Sequence, residues 1–461
     1  MKALKVLSAA ALVGVSVAAL SSCSRKDYSH TVVFHHAAGQ ALQKEIDTAI
    51  ENFEAKYPEW TVEQAGIGGY NELYTGTVSN LTAGTQPDLA FCYSDHVAKY
   101  ITSGKVVDMA NYINSDKKVV SANGDVAVGY TAEEIKDFAP GYYAEGKATN
   151  YADYTSYGFT ENSMLTMPFV KSTEVMYVNK TAVESVRTEL TKAGITGYPQ
   201  TWDELWKAAE ILKAKYPSST PVAYDSESNW AIAMAKQNGW NYTSAESPYY
   251  TFRNDEKFAN WLDTLNAYYK AGLLTTQTIY GGYTSALYTK PATEGGAIFC
   301  IGSSGGASHQ VTDKFEWDVT SIPGSKKADG SIDKSVISQG PSLVMFDSGN
   351  SEKETMTWMF VKELLDPEFQ SQYARAAGYN PVRNSTFALD SYKEFLADTS
   401  SIISVTANVA STLSDWFFTS PAFEGSADAR TQIGSALVSC TTGDLTGKDA
   451  LERAYKNCGG K

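Results

Sequence analysis

At 461 residues the chain is too long for one ordinary core, so two lobes are expected, and 43% hydrophobic with 20% charged residues describes a soluble globular protein. Its formal net charge is −14, and −16 once Lys2 and Lys5 leave with the leader (36 Lys+Arg against 52 Asp+Glu). So acidic a body, with no basic stripe, repels nucleic acid and anionic membranes and excludes nucleic acid as a partner. A small anionic ligand stays open, because one arginine and nearby backbone donors act inside a Debye length of about 8 Å. The 29 tyrosines and 9 tryptophans exceed what core packing demands, so some are expected to line a wet cleft.

Lys2 and Lys5 precede an apolar run over residues 6–20, which makes residues 1–22 a signal peptide rather than a membrane span. Leu20-Ser21-Ser22-Cys23 resembles the bacterial lipobox. The resemblance implies that Cys23 is acylated and becomes the mature N-terminus, that residues 23–30 form a polar tether, and that lipid holds the body outside the cytoplasmic membrane. The competing reading is a plain secreted protein with a chance cysteine. No other apolar run approaches the ~18 residues a span needs. Cys440 and Cys458 lie near each other at the C-terminal end and could be bridged in an oxidising compartment, whereas Cys92 and Cys300 each end an apolar strand and read as buried thiols. No cysteine shows zinc spacing, and neither a metal nor a cofactor is expected.

The body opens with Thr31-Val32-Val33-Phe34-His35-His36, a strand whose adjacent histidines point to opposite faces and so make poor joint metal ligands. A helix follows with Leu42, Ile46, Ala49, Phe53 and Tyr57 on one stripe, stopped by Pro58, and Trp60-Thr61-Val62-Glu63 is the second strand. This βαβ opening implies an α/β lobe. A glycine-rich loop then delivers Tyr70 to a helix over 71–83, and residues 87–93 form a third strand with Ser94 and Asp95 capping what comes next. Residues 141–163 are a polar, tyrosine-rich crossing. Lys171 and Ser172 lead into a strand at 175–178, and Pro199-Gln200-Thr201-Trp202-Asp203-Glu204 is a capping box.

Residues 297–301 form an apolar run too short for a buried helix and closed by glycines on both sides, so they read as a fully buried strand. Gly302-Ser303-Ser304-Gly305-Gly306 then makes a turn where backbone can approach a ligand, ahead of a polar run that could open a helix. Two hydroxyls and free N–H groups there suit an anion or a sugar hydroxyl; the plain alternative is a Gly/Ser connector facing solvent. In doubly wound sheets ligands bind beyond the carboxyl ends of strands, which places Tyr70, Ser94, Asp95, Ser303 and Ser304 around one crevice. Further strands are expected at 317–320 and 336–346, then helices separated by Asp366-Pro367, the second ended by Gly378 and Pro381.

This order of signals resembles the extracellular solute-binding proteins of ABC uptake systems over essentially the whole mature chain. Pro87-Asp88, Met167-Pro168-Phe169, Tyr177-Val178-Asn179-Lys180, the Pro199 box, the Gly-Ala-Ile strand and Gly378-Tyr379-Asn380-Pro381-Val382-Arg383 carry the resemblance. It implies an α/β, two-lobed periplasmic-binding-protein-like fold of type II, with a hinge and an interlobe cleft. It further implies a non-enzymatic, monomeric receptor that hands a solute to the transmembrane subunits of a permease. The lobes are expected at 31–140 with 296–346 and at 141–295 with 347–461.

Within the family, Lys171-Ser172-Thr173, Ser303-Ser304-Gly305, Gly340-Pro341-Ser342-Leu343 and Gly378-Tyr379-Asn380-Pro381 are similar to the versions in glycerol-3-phosphate and glycerophosphodiester binders. Carried over by position, the ligand residues are Tyr70, Ser172, Ser303, Gly340, Tyr379 and Arg430, with Trp202 as a cleft wall. The chain departs from that subgroup at one position, where Ser94, followed by Asp95, replaces a glutamate expected to hold the glycerol hydroxyls. Hydroxyls, backbone N–H groups and one bidentate guanidinium are the donors a phosphate monoester of charge about −1.5 to −2 requires. Three other readings compete: the same receptor with a neutral sugar, stacked on Trp202 and nearby tyrosines with Asp95 taking its hydroxyls; an exported glycosidase; and an adhesin or structural lipoprotein. For single residues the plain alternatives are Arg430 as a surface helix cation and Trp202 as core packing.

Overall fold

The computed structural model describes residues 28–460. The leader, Cys23 and residues 23–27 of the tether lie outside the described residues.

Two five-stranded mixed sheets organise the chain. In the first, the order is Thr61–Gly66, Thr31–His36, Leu89–Cys92, Ser342–Met345 and Met167–Pro168. The first three run parallel, as the βαβ pattern requires, and Ser342–Met345 joins antiparallel. The helix Gln40–Lys56 covers this sheet with Ile46, Ala49 and Phe53 buried. The second sheet is ordered Leu274–Thr276, Val222–Tyr224, Phe299–Ser303, Glu174–Asn179 and Trp317–Ser321. Each sheet has its own apolar core, so the molecule is two lobes.

The boundaries between lobes differ from the expected ones. Phe299–Ser303, expected in the N-terminal lobe, lies inside the second sheet, antiparallel to Glu174–Asn179 and parallel to Val222–Tyr224. Conversely, the helices Ser351–Leu364 and Pro367–Ala377, expected in the C-terminal lobe, bury Trp358, Phe360, Phe369 and Tyr373 in the first core. Met164 and Met167, which the expected boundaries put in the C-terminal lobe, belong to the first core too. A strand buried on both faces carries no alternation, so the sequence shows that such a strand exists and not which sheet receives it.

The chain therefore crosses between lobes near residues 171–174, 338–342 and 383–402, and short ladders tie the segments around these crossings. Val170–Lys171 pairs with Asn380–Pro381, Ser172 bridges Gln339, and Val336–Ile337 pairs with Phe417–Phe418. Gly340 makes this packing possible. Its φ is 95°, and a Cβ there would stand 2.2 Å from the Val170 carbonyl oxygen.

Among the described residues no helix is long and apolar enough to cross a membrane, and no group of three or more His, Cys, Asp or Glu is placed to hold a metal. Cys92 and Cys300 are buried free thiols, as read from their strands, and Cys440 and Cys458 are also unjoined.

Candidate functional site

The carboxyl end of Leu89–Cys92 runs through Tyr93 into the short helix Ser94–Tyr100, whose first turn faces the other lobe. Ser94 and Asp95 were expected to cap this helix; they lie inside its first turn, and Tyr93 occupies the cap position without a side-chain bond. Opposite stands the long helix Ser426–Thr442, packed in the second lobe through Ile433, Ala436 and Leu437. Arg430, on its second turn, reaches across and donates from Nε to Asp95 Oδ2 at 2.9 Å. Arg430 therefore belongs to the cleft and is not a surface cation.

Behind Arg430 the second lobe supplies a polar relay. The Nη1 group donates to Asn229 Oδ1, which also accepts from Gln339 Nε2 at 3.1 Å, while Asn229 Nδ2 donates to Glu174 Oε1 at 3.2 Å. Glu174 accepts in turn from the Tyr224 hydroxyl at 2.5 Å. Burial pushes the Glu174 carboxyl up to about 7, although the Tyr224 and Asn229 bonds and Arg430 favour its charged form. Asp95 is the opposite case: burial raises it, but Arg430, His96 and the hydrogen bonds it accepts outweigh that and hold it below the usual carboxylate range. His96 beside it is driven down to about 4 by burial, so it is neutral at physiological pH.

A second cation lies deeper. Lys171, 2% exposed, pairs with Glu145, which also accepts from Ser338 Oγ at 2.8 Å. Arg430, Asp95, Lys171, Glu145, Gln339 and Gly340 are among the residues lining a cavity of about 40 Å³ between the lobes, with Tyr93 and Ser94 at one side. Ser420 also lines it, and its hydroxyl is buried with no partner among the described residues.

The tyrosine side of the cleft adjoins this cavity. Tyr70 stacks on Tyr93 with ring centroids 4.3 Å apart, and its hydroxyl lies within hydrogen-bonding reach of Tyr379. Tyr379 rests on Gly305, where a Cβ would stand 2.5 Å from Tyr379 Cζ, so the glycine turn after Phe299–Ser303 exists to admit that ring. Burial raises all three hydroxyls, which leaves Tyr70, Tyr93 and Tyr379 as neutral donors at pH 7.

The expected residues thus divide. Ser94, Asp95, Gly340 and Arg430 line the cavity, and Tyr70 and Tyr379 stand next to it behind Tyr93. Ser172 is 3% exposed and joins the hinge through two backbone bonds with Gln339. The Ser303 hydroxyl caps the Ser304–Gln310 turn of helix by accepting from Gly305 N at 3.2 Å, and Ser304, fully buried, accepts from Thr173 N. Ser304 is a structural hydroxyl and not a ligand donor.

Trp202 is no cleft wall. It is 6% exposed in the core of the second lobe, its Nε1 donates to Gln237 at 2.8 Å, and its ring stacks on Trp230. Thr201 does cap Glu204 N, but the Glu204 carboxylate answers to Gln200 N. Glu145, Lys171, Glu174, Asn229 and Gln339 were missed. A lone glutamate opening the apolar run Glu174–Asn179, and a lysine just ahead of it, were the readable signs; Asn229 gave none.

Over 366 residues the chain is 22% identical to the sn-glycerol-3-phosphate-binding periplasmic protein UgpB of Escherichia coli K12, covering 78% of this chain and 76% of that protein. Its fold matches Listeria monocytogenes Lmo0181, an ABC substrate-binding protein in complex with cycloalternan, with a TM-score of 0.71 at 16% identity over 94% of this chain and 99% of that one. It also matches UgpB of Mycobacterium tuberculosis in complex with glycerophosphocholine, with a TM-score of 0.70 at 15% identity over 93% and 97%. The family model of bacterial extracellular solute-binding proteins matches residues 48–397, and the chain, two lobes around a polar cleft with no enzymatic role, belongs to that family.

Proposed function

We propose that the protein captures a phosphorylated polyol, of the class of glycerol-3-phosphate or a glycerophosphodiester, between its lobes and delivers it to an ABC permease. The observation that carries this reading is the position of Arg430: a guanidinium on one lobe, turned into the cleft, with only two of its five N–H groups engaged among the described residues. A planar fork of this kind matches phosphate oxygens, and neutral tyrosine hydroxyls supply further donors. Because the Arg430–Asp95 contact joins the two lobes across this cavity, capture proceeds by the lobes parting at the tied crossings and closing again. A ligand that touches both lobes selects the closed arrangement by its differential contacts. The chain's likeness to a glycerol-3-phosphate-binding protein and to a glycerophosphocholine complex supports the same ligand class.

The stacked Tyr70 and Tyr93 rings favour a second reading, a neutral oligosaccharide, and several neighbours in fold are sugar complexes. The lipobox supports delivery from a lipid-anchored position, with Cys23 acylated. Melting temperature against glycerol-3-phosphate, glycerophosphocholine, maltotriose and inorganic phosphate separates the readings. A ligand at a hundred times its dissociation constant adds about 2.7 kcal/mol to stability. The phosphate esters are expected to raise the melt; a shift with maltotriose alone would overturn the ligand assignment and leave the receptor role standing.

A further inference from the structure

The Arg430 fork is already taken at the edge an anionic ligand would use. A guanidinium offers two bidentate edges to an oxyanion, one made by Nε and Nη2 and one by the two Nη groups. Asn229, from the same lobe as Arg430, accepts from Nη1, which belongs to the second edge. The remaining edge contains Nε, and Asp95 occupies it from the opposite lobe at 2.9 Å. Ser426 Oγ donates to the Asp95 carbonyl at 3.4 Å, so the two helix starts are docked at this contact. Both side chains are largely buried, Asp95 at 13% and Arg430 at 23% exposed.

We propose that Asp95 is a specificity-determining residue that acts as a built-in competitor for the ligand's anionic group: it holds the Nε edge of Arg430 until an incoming oxyanion exchanges with it. This rests on the anionic reading above. When the lobes part, the Asn229 bond stays with Arg430 and the Asp95 bond breaks. An anion must therefore win the edge from a carboxylate of like charge, whereas a neutral sugar can leave the pair intact and use it as one donor and acceptor surface. Asp95 weakens binding of every anionic ligand.

Calorimetric titration of the mature chain with sn-glycerol-3-phosphate and with maltotriose tests this, using wild type, Asp95→Asn and Asp95→Ser. Both variants are expected to bind glycerol-3-phosphate about tenfold more tightly, the order of one charge-assisted hydrogen bond, with no gain for maltotriose. Small-angle scattering of the ligand-free variants is expected to show a more open pair of lobes than wild type. If wild type binds glycerol-3-phosphate and both variants bind it equally or more weakly, the competitor role is overturned and the proposed function stands. If all three forms bind maltotriose and none binds glycerol-3-phosphate, both are overturned.

Discussion

Two cation–carboxylate pairs stand at the ends of one cavity and answer to different mechanics. Arg430 and Asp95 come from opposite lobes, so their bond exists only while the lobes meet. Lys171 and Glu145 are set at the crossing, with Ser338 on the same carboxylate, and move with the hinge. The first pair is suited to exchanging a partner for a ligand and the second to holding the hinge in shape. Burial alone does not separate them; topology does.

Removing the exchanging cation should have the largest effect. Arg430→Ala is expected to weaken glycerol-3-phosphate binding at least about 100-fold, near 3 kcal/mol, and to leave any oligosaccharide affinity within a few-fold of wild type. Equal losses for both ligand classes in a titration would erase the distinction between the pairs.

The relay behind Arg430 sharpens the comparison through pH. Folding raises the Glu174 carboxyl from 4.5 to about 7, so the folded chain holds this proton more firmly than the unfolded one. That stabilisation is full below pH 4.5 and is lost as pH rises through 7. Glu174→Gln does not titrate, so its unfolding free energy relative to wild type, read from denaturant unfolding, should climb between pH 5 and 8, by an amount on the order of 3 kcal/mol at most. A difference flat across that range would mean that Glu174 is solvated.

The hinge pair should show itself in stability. Lys171→Met leaves Glu145 unpaired, and with that carboxylate 19% exposed the expected loss in denaturant unfolding is about 2 kcal/mol, mostly restored by adding Glu145→Gln. A Lys171→Met variant of wild-type stability would make Lys171 a ligand cation in its own right. The smallest effect belongs to a residue in neither pair: Trp202→Phe removes one buried hydrogen bond to Gln237, costing about 1 kcal/mol, with ligand affinity unchanged.

Most of the architecture was legible because period and punctuation mark elements locally. The helix Gln40–Lys56 follows its apolar stripe, and the buried strand ends among the expected glycines, although Gly302 and Ser303, expected in the turn, still pair in it as part of Phe299–Ser303. Lobe membership was not legible, since Phe299–Ser303 is apolar on both faces and would suit either sheet. In the site, residues at strand ends such as Tyr70 and Asp95 were found because topology aims such positions at the cleft. Trp202 misled because an indole at a helix start looks the same whether it meets ligand or Gln237. Asn229 escaped because an asparagine in a helix shows its role only through partners distant in sequence.

Calorimetric titration of one wild-type preparation with sn-glycerol-3-phosphate is the most direct test of the central claim. Saturable one-to-one binding that weakens as ionic strength rises, as expected for a ligand held through a guanidinium, is the predicted result. No heat with glycerol-3-phosphate, alongside tight and salt-insensitive binding of maltotriose, would contradict it.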